Sequence, residues 1–75
     1  MTSNGLGVRI KEARELAGLS RFKLAAVSDC TTNTIRNYET GATAPTVGVL
    51  SLIADALDVD LLWLIDGDRV GEEVA

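Results

Sequence analysis

The sequence predicts an all-α domain of five short helices, and three observations predict it. Apolar residues recur at steps of three and four along most of the chain, the spacing that lines one face of a helix. Ser20, Thr31, Thr46 and Asp60, side chains able to accept from the unpaired N–H groups that open a helix, stand ahead of those runs. The chain has 75 residues, 47% of them hydrophobic and 24% charged, which suits one globular domain with a small, economical core.

A first helix is expected over residues 6–17, where Leu6, Ile10, Ala13 and Ala17 share a stripe and Gly18 is placed to end it. Arg14 lies on the edge of that stripe, an odd place for a cation without a partner. The second helix opens at Ser20 and buries Leu24 and Ala25. It fails around Ser28 and Asp29, whose side chains compete for backbone groups, and Asp tolerates the left-handed conformation of a tight corner. Thr31 caps the third helix. At about 100° per residue, Thr32, Asn33, Arg36 and Asn37 share one arc while Ile35 and Tyr38 point the other way.

Gly41 suits a left-handed exit from helix three, and Thr46 after Pro45 opens a fourth helix over residues 47–57. Its core stripe is Val47, Leu50, Ile53, Ala54 and Leu57, and a second apolar stripe of Val49, Leu52 and Ala56 runs beside it. A helix apolar nearly all round is normally covered on both sides. Asp60 caps a short fifth helix, in which Leu61 and Leu64 fill the core while Leu62 or Ile65 faces elsewhere. An isologous homodimer built on Leu52, Leu62 and Ile65 would cover these surfaces; the alternative is that Trp63 and its neighbours simply close the monomer's own core. Residues 1–5 are expected to be flexible and residues 67–75 to form a mobile acidic tail.

Composition excludes several functions. The N-terminus lacks the basic start and apolar body of a secretory signal, and no apolar run is long enough to cross a bilayer, so a cytoplasmic protein without membrane contact is expected. One cysteine and no histidine leave no internal disulfide, no zinc set and no imidazole base. No catalytic residues, metal or cofactor are expected, and the chain reads as a non-enzyme.

The net charge is −4 and unevenly spread. Residues 1–41 hold Arg9, Lys11, Arg14, Arg21, Lys23 and Arg36 against Glu12, Glu15, Asp29 and Glu39, a net +2; residues 42–75 hold Arg69 against seven carboxylates, a net −6. A polyanion approaching the first half meets local positive charge, since the acidic half is largely screened beyond a Debye length of about 8 Å. The arc of Thr32, Asn33, Arg36 and Asn37 suits base edges: Asn pairs bidentately with adenine, Arg with guanine, and the arc has no carboxylate. A solvated helix face shows the same polarity.

Leu19-Ser20, Leu24-Ala25, Thr31, Thr34-Ile35, Glu39 and Gly41, at these spacings, resemble the helix-turn-helix of the phage repressor and Cro (Xre) family. The resemblance extends through Leu6-Gly7, Arg9-Ile10 and Arg14 upstream and Pro45, Leu50, Ala54, Leu57, Val59 and Leu64 downstream, covering residues 6–66 with the motif at about 20–40. It implies a five-helix lambda-repressor-like fold and a transcriptional regulator, of phage or mobile-element type, that binds double-stranded DNA. Thr32, Asn33, Arg36 and Asn37 would then read bases, while Ser20, Arg21, Thr31, Thr40 and Thr43 would meet phosphates. The matching arginine of the family pairs with the glutamate ending the recognition helix, which implies an Arg14–Glu39 ion pair.

The chain departs from the family pattern at Asp29, where Gly is common, at Ser28, where an aliphatic is usual, and at Cys30, where Val is usual. Cys30 is expected as a small buried apolar residue. The loop after helix three offers Thr40, Thr43 and Thr46 where relatives often carry cations. The acidic balance and the missing loop cations support an alternative: a protein-interaction module, antitoxin-like or anti-repressor-like, that holds a partner protein through Phe22 or Leu52.

Overall fold

The structure is a computed structural model that describes residues 5–67. The expected flexible N-terminus and acidic tail lie outside those residues except at their inner ends, where Gly5 begins a helix and Gly67 ends one. Five helices follow in order: α1 (Gly5–Leu16), α2 (Arg21–Val27), α3 (Thr32–Thr40), α4 (Val47–Leu57) and α5 (Leu61–Asp66). There is no strand among the described residues.

Local chemistry fixes the starts and stops. The Oγ atoms of Ser20, Thr31 and Thr46 accept from the backbone N–H three residues on, and Asp60 Oδ1 accepts from Leu62 N. Each satisfies a donor that has no partner inside the helix. Asp29 and Asp58 take the left-handed conformation at the α2–α3 corner and at the end of α4, with φ of 60° and 59°. A short polar side chain lowers the cost of that conformation, so aspartate does here what glycine does at Gly41.

One large aliphatic from each helix is fully buried: Ile10, Leu24, Ile35, Ile53 and Leu64. Truncating any of them removes a contact shared by several helices, at a cost of about 2–5 kcal/mol. Around this centre pack Ala13, Ala25, Leu50, Ala54 and Leu57. Two residues expected in the core are not in it. Val47 is 69% exposed because the first turn of α4 lies beyond the core, and Ala17 is exposed because α1 ends at Leu16 and the chain turns there. Val49 and Ala56 of the second stripe on α4 pack partly against the core, as does Leu61, leaving Leu52 outermost.

Gly7 is buried where α1 meets the end of α3. A Cβ there would lie 2.5 Å from the Tyr38 carbonyl oxygen and 2.7 Å from that of Glu39, so the two backbones approach as only glycine permits. Arg9 fastens α1 to α5: its Nε donates to the Leu64 carbonyl at 2.9 Å and its Nη2 to that of Ile65 at 2.8 Å. Both are end-of-helix carbonyls without a helical partner, and a cation there also suits the helix dipole.

Ser28, at the α2–α3 corner, is fully buried with its Oγ unpartnered among the described residues. An unmet buried hydroxyl costs on the order of 1–3 kcal/mol. Ser28→Ala removes the hydroxyl and keeps the backbone, so its urea midpoint should rise, by about 1 kcal/mol of stability. A lower midpoint than the parent would show that the hydroxyl is not a liability.

Candidate nucleic-acid interface

The site is built on α3, whose inner and outer faces differ sharply. Ile35 is fully buried and Glu39 is 7% exposed, which turns Thr32, Asn33 and Arg36 outward, all exposed. Asn37, expected on the same arc, is half-buried. The loop after Gly41 folds back over its turn, with Ala42 N and Thr43 N donating to the Asn37 carbonyl at 2.9 and 3.3 Å. Among the described residues, the side chains of Thr32, Asn33, Arg36 and Asn37 make no hydrogen bond to protein. Their donors and acceptors are open to an incoming ligand.

Glu39 anchors this helix. Its Oε2 accepts from Arg14 Nε at 2.6 Å; its Oε1 accepts from Arg14 Nη2 at 3.3 Å and from Arg21 Nε at 3.0 Å. Arg14 Nη1 also donates to the Leu19 carbonyl at 2.8 Å. The carboxylate is thus dry, with its side chain 1% exposed, and shared by α1 and the first residue of α2. A charge so buried is tolerable only because two guanidinium groups face it.

Arg21, expected as a first-turn cation facing a phosphate, also has a structural contact, its Nε donating to Glu39. Its side chain stays 34% exposed, leaving the Nη groups as donors. Ser20 and Thr31 use their oxygens as cap acceptors, but a hydroxyl that accepts keeps its own hydrogen to donate. Thr31 Oγ1 also lies 2.8 Å from Thr34 Oγ1, and Thr40 Oγ1 donates to the Asn37 carbonyl at 3.3 Å. Thr43 is exposed beside them in the chain.

The cation count of the first half changes accordingly. Arg9, Arg14 and Arg21 serve the fold, and Lys11, Lys23 and Arg36 remain exposed. Sequence reading missed the engagements of Arg9 and Arg21, which join residues 55 and 18 positions apart and leave no periodic trace. On α4 and α5, Leu52, Leu62 and Ile65 are 41%, 53% and 47% exposed. Among the described residues no cluster of three or more potential ligands could hold a metal, and no helix is long and apolar enough to cross a membrane.

Cys30 is half-buried, not fully buried as expected, and its thiol donates to the Ser28 carbonyl at 3.3 Å. Burial pushes that thiol up in pKa, reinforced by the Asp29 carboxylate; burial and then Cys30 do the same to Tyr38. A native pKa above the unfolded one favours the neutral form, so this stability is complete below the unfolded pKa and is lost as pH rises. The denaturation midpoint should therefore fall from about pH 8.5 upward, with a shallower fall in Cys30→Ala. An identical pH dependence in the two proteins would remove Cys30 from the account.

Losing Glu39 should cost far more than losing Arg21. Glu39→Ala strands two guanidinium groups, one of them buried, and should destabilise the domain by about 3–5 kcal/mol in urea titration. Arg21→Ala breaks a partly solvated contact and should cost about 1 kcal/mol or less. Equal losses would contradict the arrangement.

Comparison with known proteins agrees with this architecture. A family model described as helix-turn-helix matches residues 10–64. Two curated relatives named as uncharacterized HTH-type transcriptional regulators, from Rickettsia conorii (strain ATCC VR-613 / Malish 7) and Rickettsia prowazekii (strain Madrid E), are each 39% identical over 62 residues. The alignments cover 83% of this chain and 50% and 48% of theirs. The chain therefore spans about half the length of the curated relatives it matches. No solved structure matches it significantly.

Proposed function

We propose that this chain, which belongs to the Xre-type helix-turn-helix family, is a sequence-specific DNA-binding transcriptional regulator of the repressor and Cro type. The observation that carries the reading is the outward face of α3. Three exposed side chains and one half-buried one, all with open hydrogen-bonding groups and none a carboxylate, stand on a helix whose other side is fixed by Ile35 and Glu39. A rigid helix with a donor- and acceptor-bearing edge can enter the major groove and distinguish base pairs there.

In this reading Thr32, Asn33, Arg36 and Asn37 read base edges. Ser20, Thr31 and Thr43 donate to phosphates, Thr40 does so by exchanging its long contact to the Asn37 carbonyl, and Arg21 adds its Nη groups. Glu39 and Arg14 keep α3 at a fixed height relative to α1, and the Nε of Arg21 ties it to α2. The domain is residues 6–66, and two copies pair through Leu52, Leu62 and Ile65. Such a homodimer would present its two α3 helices to half-sites about 34–36 Å apart in a near-palindromic operator. With few exposed cations, nonspecific attraction is weak and discrimination falls mainly to base contacts.

A second reading is favoured by that same cation count. With three of the first-half arginines tied into the fold, a protein-interaction module that has kept the architecture and lost most DNA affinity would look similar. It would hold its partner through Phe22, 69% exposed, or Leu52.

The test is fluorescence anisotropy against duplexes selected from a random pool, with light scattering for oligomeric state. Asn33→Ala or Asn37→Ala should cost about 1–3 kcal/mol and relax preference at one base position. Arg21→Ala should weaken all duplexes alike and reduce the salt slope by about one counterion. No selectable duplex at low salt would favour the second reading, and a monomer on its operator would remove the dimer.

A further inference from the structure

An apolar trough of about 510 Å³, lined by no residue of α3, lies between the end of α1 and the α4–α5 turn. Ala13, Leu16 and Ala17 form one wall, and Leu57, Val59 and Trp63 the other. Its origin is steric: Ala13 and, just past the end of α1, Ala17 carry only methyl groups on the wall across from Trp63, so this end of the helix fails to fill the space. Leu16, 87% exposed, forms the outer lip. The depression is therefore an open trough, in which a small ligand would stay largely wet. A helix could lay two or three side chains along it.

The rim is acidic. Asp60 lines the trough, with Oδ1 held by Leu62 N and Oδ2 not so engaged. Asp58 is exposed on the other side of Val59 in the chain, and Glu12 is exposed one turn before Leu16. No cation lines the trough: Arg14 faces Glu39, and Lys11 lies about 140° round α1 from Leu16. Apolar floor and carboxylate rim together specify an occupant with the opposite charge. A second copy pairing through this face would bring one acidic rim against another. The chain beyond Gly67 is a poor complement too, with Asp68, Glu72 and Glu73 against Arg69.

We propose that this trough is the docking site for an amphipathic helix of a partner protein, one that places apolar residues at i, i+3 or i+4 over Trp63 and Leu16 and lysines or arginines against Asp60, Asp58 and Glu12. The site shares no residue with the proposed DNA contacts.

Trp63 is the sole tryptophan of the chain, so its emission reports the trough directly. The probe is a 14-residue leucine/lysine peptide with helical amphipathic spacing. Two controls are its leucine/glutamate counterpart and a same-composition peptide with scrambled spacing. The leucine/lysine peptide should shift Trp63 emission saturably and lose affinity with salt, and the controls should not bind. Leu16→Glu should weaken binding about tenfold or more. Ala17→Leu, which fills the trough, should raise the thermal midpoint and also block the peptide; Val47→Glu, at the opposite end of α4, should change nothing. Equal binding of the glutamate or scrambled peptide, or indifference to Leu16→Glu and Ala17→Leu, would overturn the proposal. So would a peptide-induced shift that disappears as protein concentration rises, which would give the trough to a second copy.

Discussion

Three of the five helices meet at one carboxylate. Glu39 sits near the end of α3, and its two oxygens receive hydrogen bonds from Arg14 on α1 and Arg21 on α2. A dry carboxylate without these partners would be strongly unfavourable, so the alternatives to this arrangement are penalised as much as the arrangement is favoured. That asymmetry gives the triad its structural weight. Hydrophobic burial draws the helices together without regard to rotation, whereas a three-way charged contact accepts α3 in one orientation only. The exposed edge of α3 is fixed as a consequence.

The same contact limits what the protein can do at long range. An acidic chain that intends to meet a polyanion would be expected to keep its arginines outside, yet Arg9, Arg14 and Arg21 are used to join helices. Lys11, Lys23 and Arg36 remain, against an acidic second half. Most of the attraction that the proposed DNA reading requires would then come from short-range complementarity at α3 and the caps and loop beside it, where the groups are mainly amides and hydroxyls with few guanidiniums. In the proposed reading, discrimination would rest on these local contacts and not on long-range steering.

Side-chain size shapes the two ends of α1. Glycine at position 7 lets α1 touch the backbone of α3, while alanines at 13 and 17 leave α1 short of Trp63. One helix thus makes its tightest contact near its start and a hollow near its end. The tight contact supports the candidate DNA face, and the hollow supplies a separate apolar surface with its own charge character.

Much of this was legible in the residues. Ser20, Thr31, Thr46 and Asp60 announced where helices begin, and Ile10, Leu24, Ile35, Ile53 and Leu64 announced the core by their spacing. Capping and periodicity act within a few residues, so a linear sequence records them in full. The exposure of Val47 and Ala17, the half-burial of Asn37, the capture of Arg21 by Glu39 and the grip of Arg9 on α5 were decided only when helices distant in sequence came together. A long charged side chain reaches whichever partner the packed backbone brings within range, and desolvation then selects the partner. Composition states how many arginines there are; the tertiary fold alone decides which of them remain free.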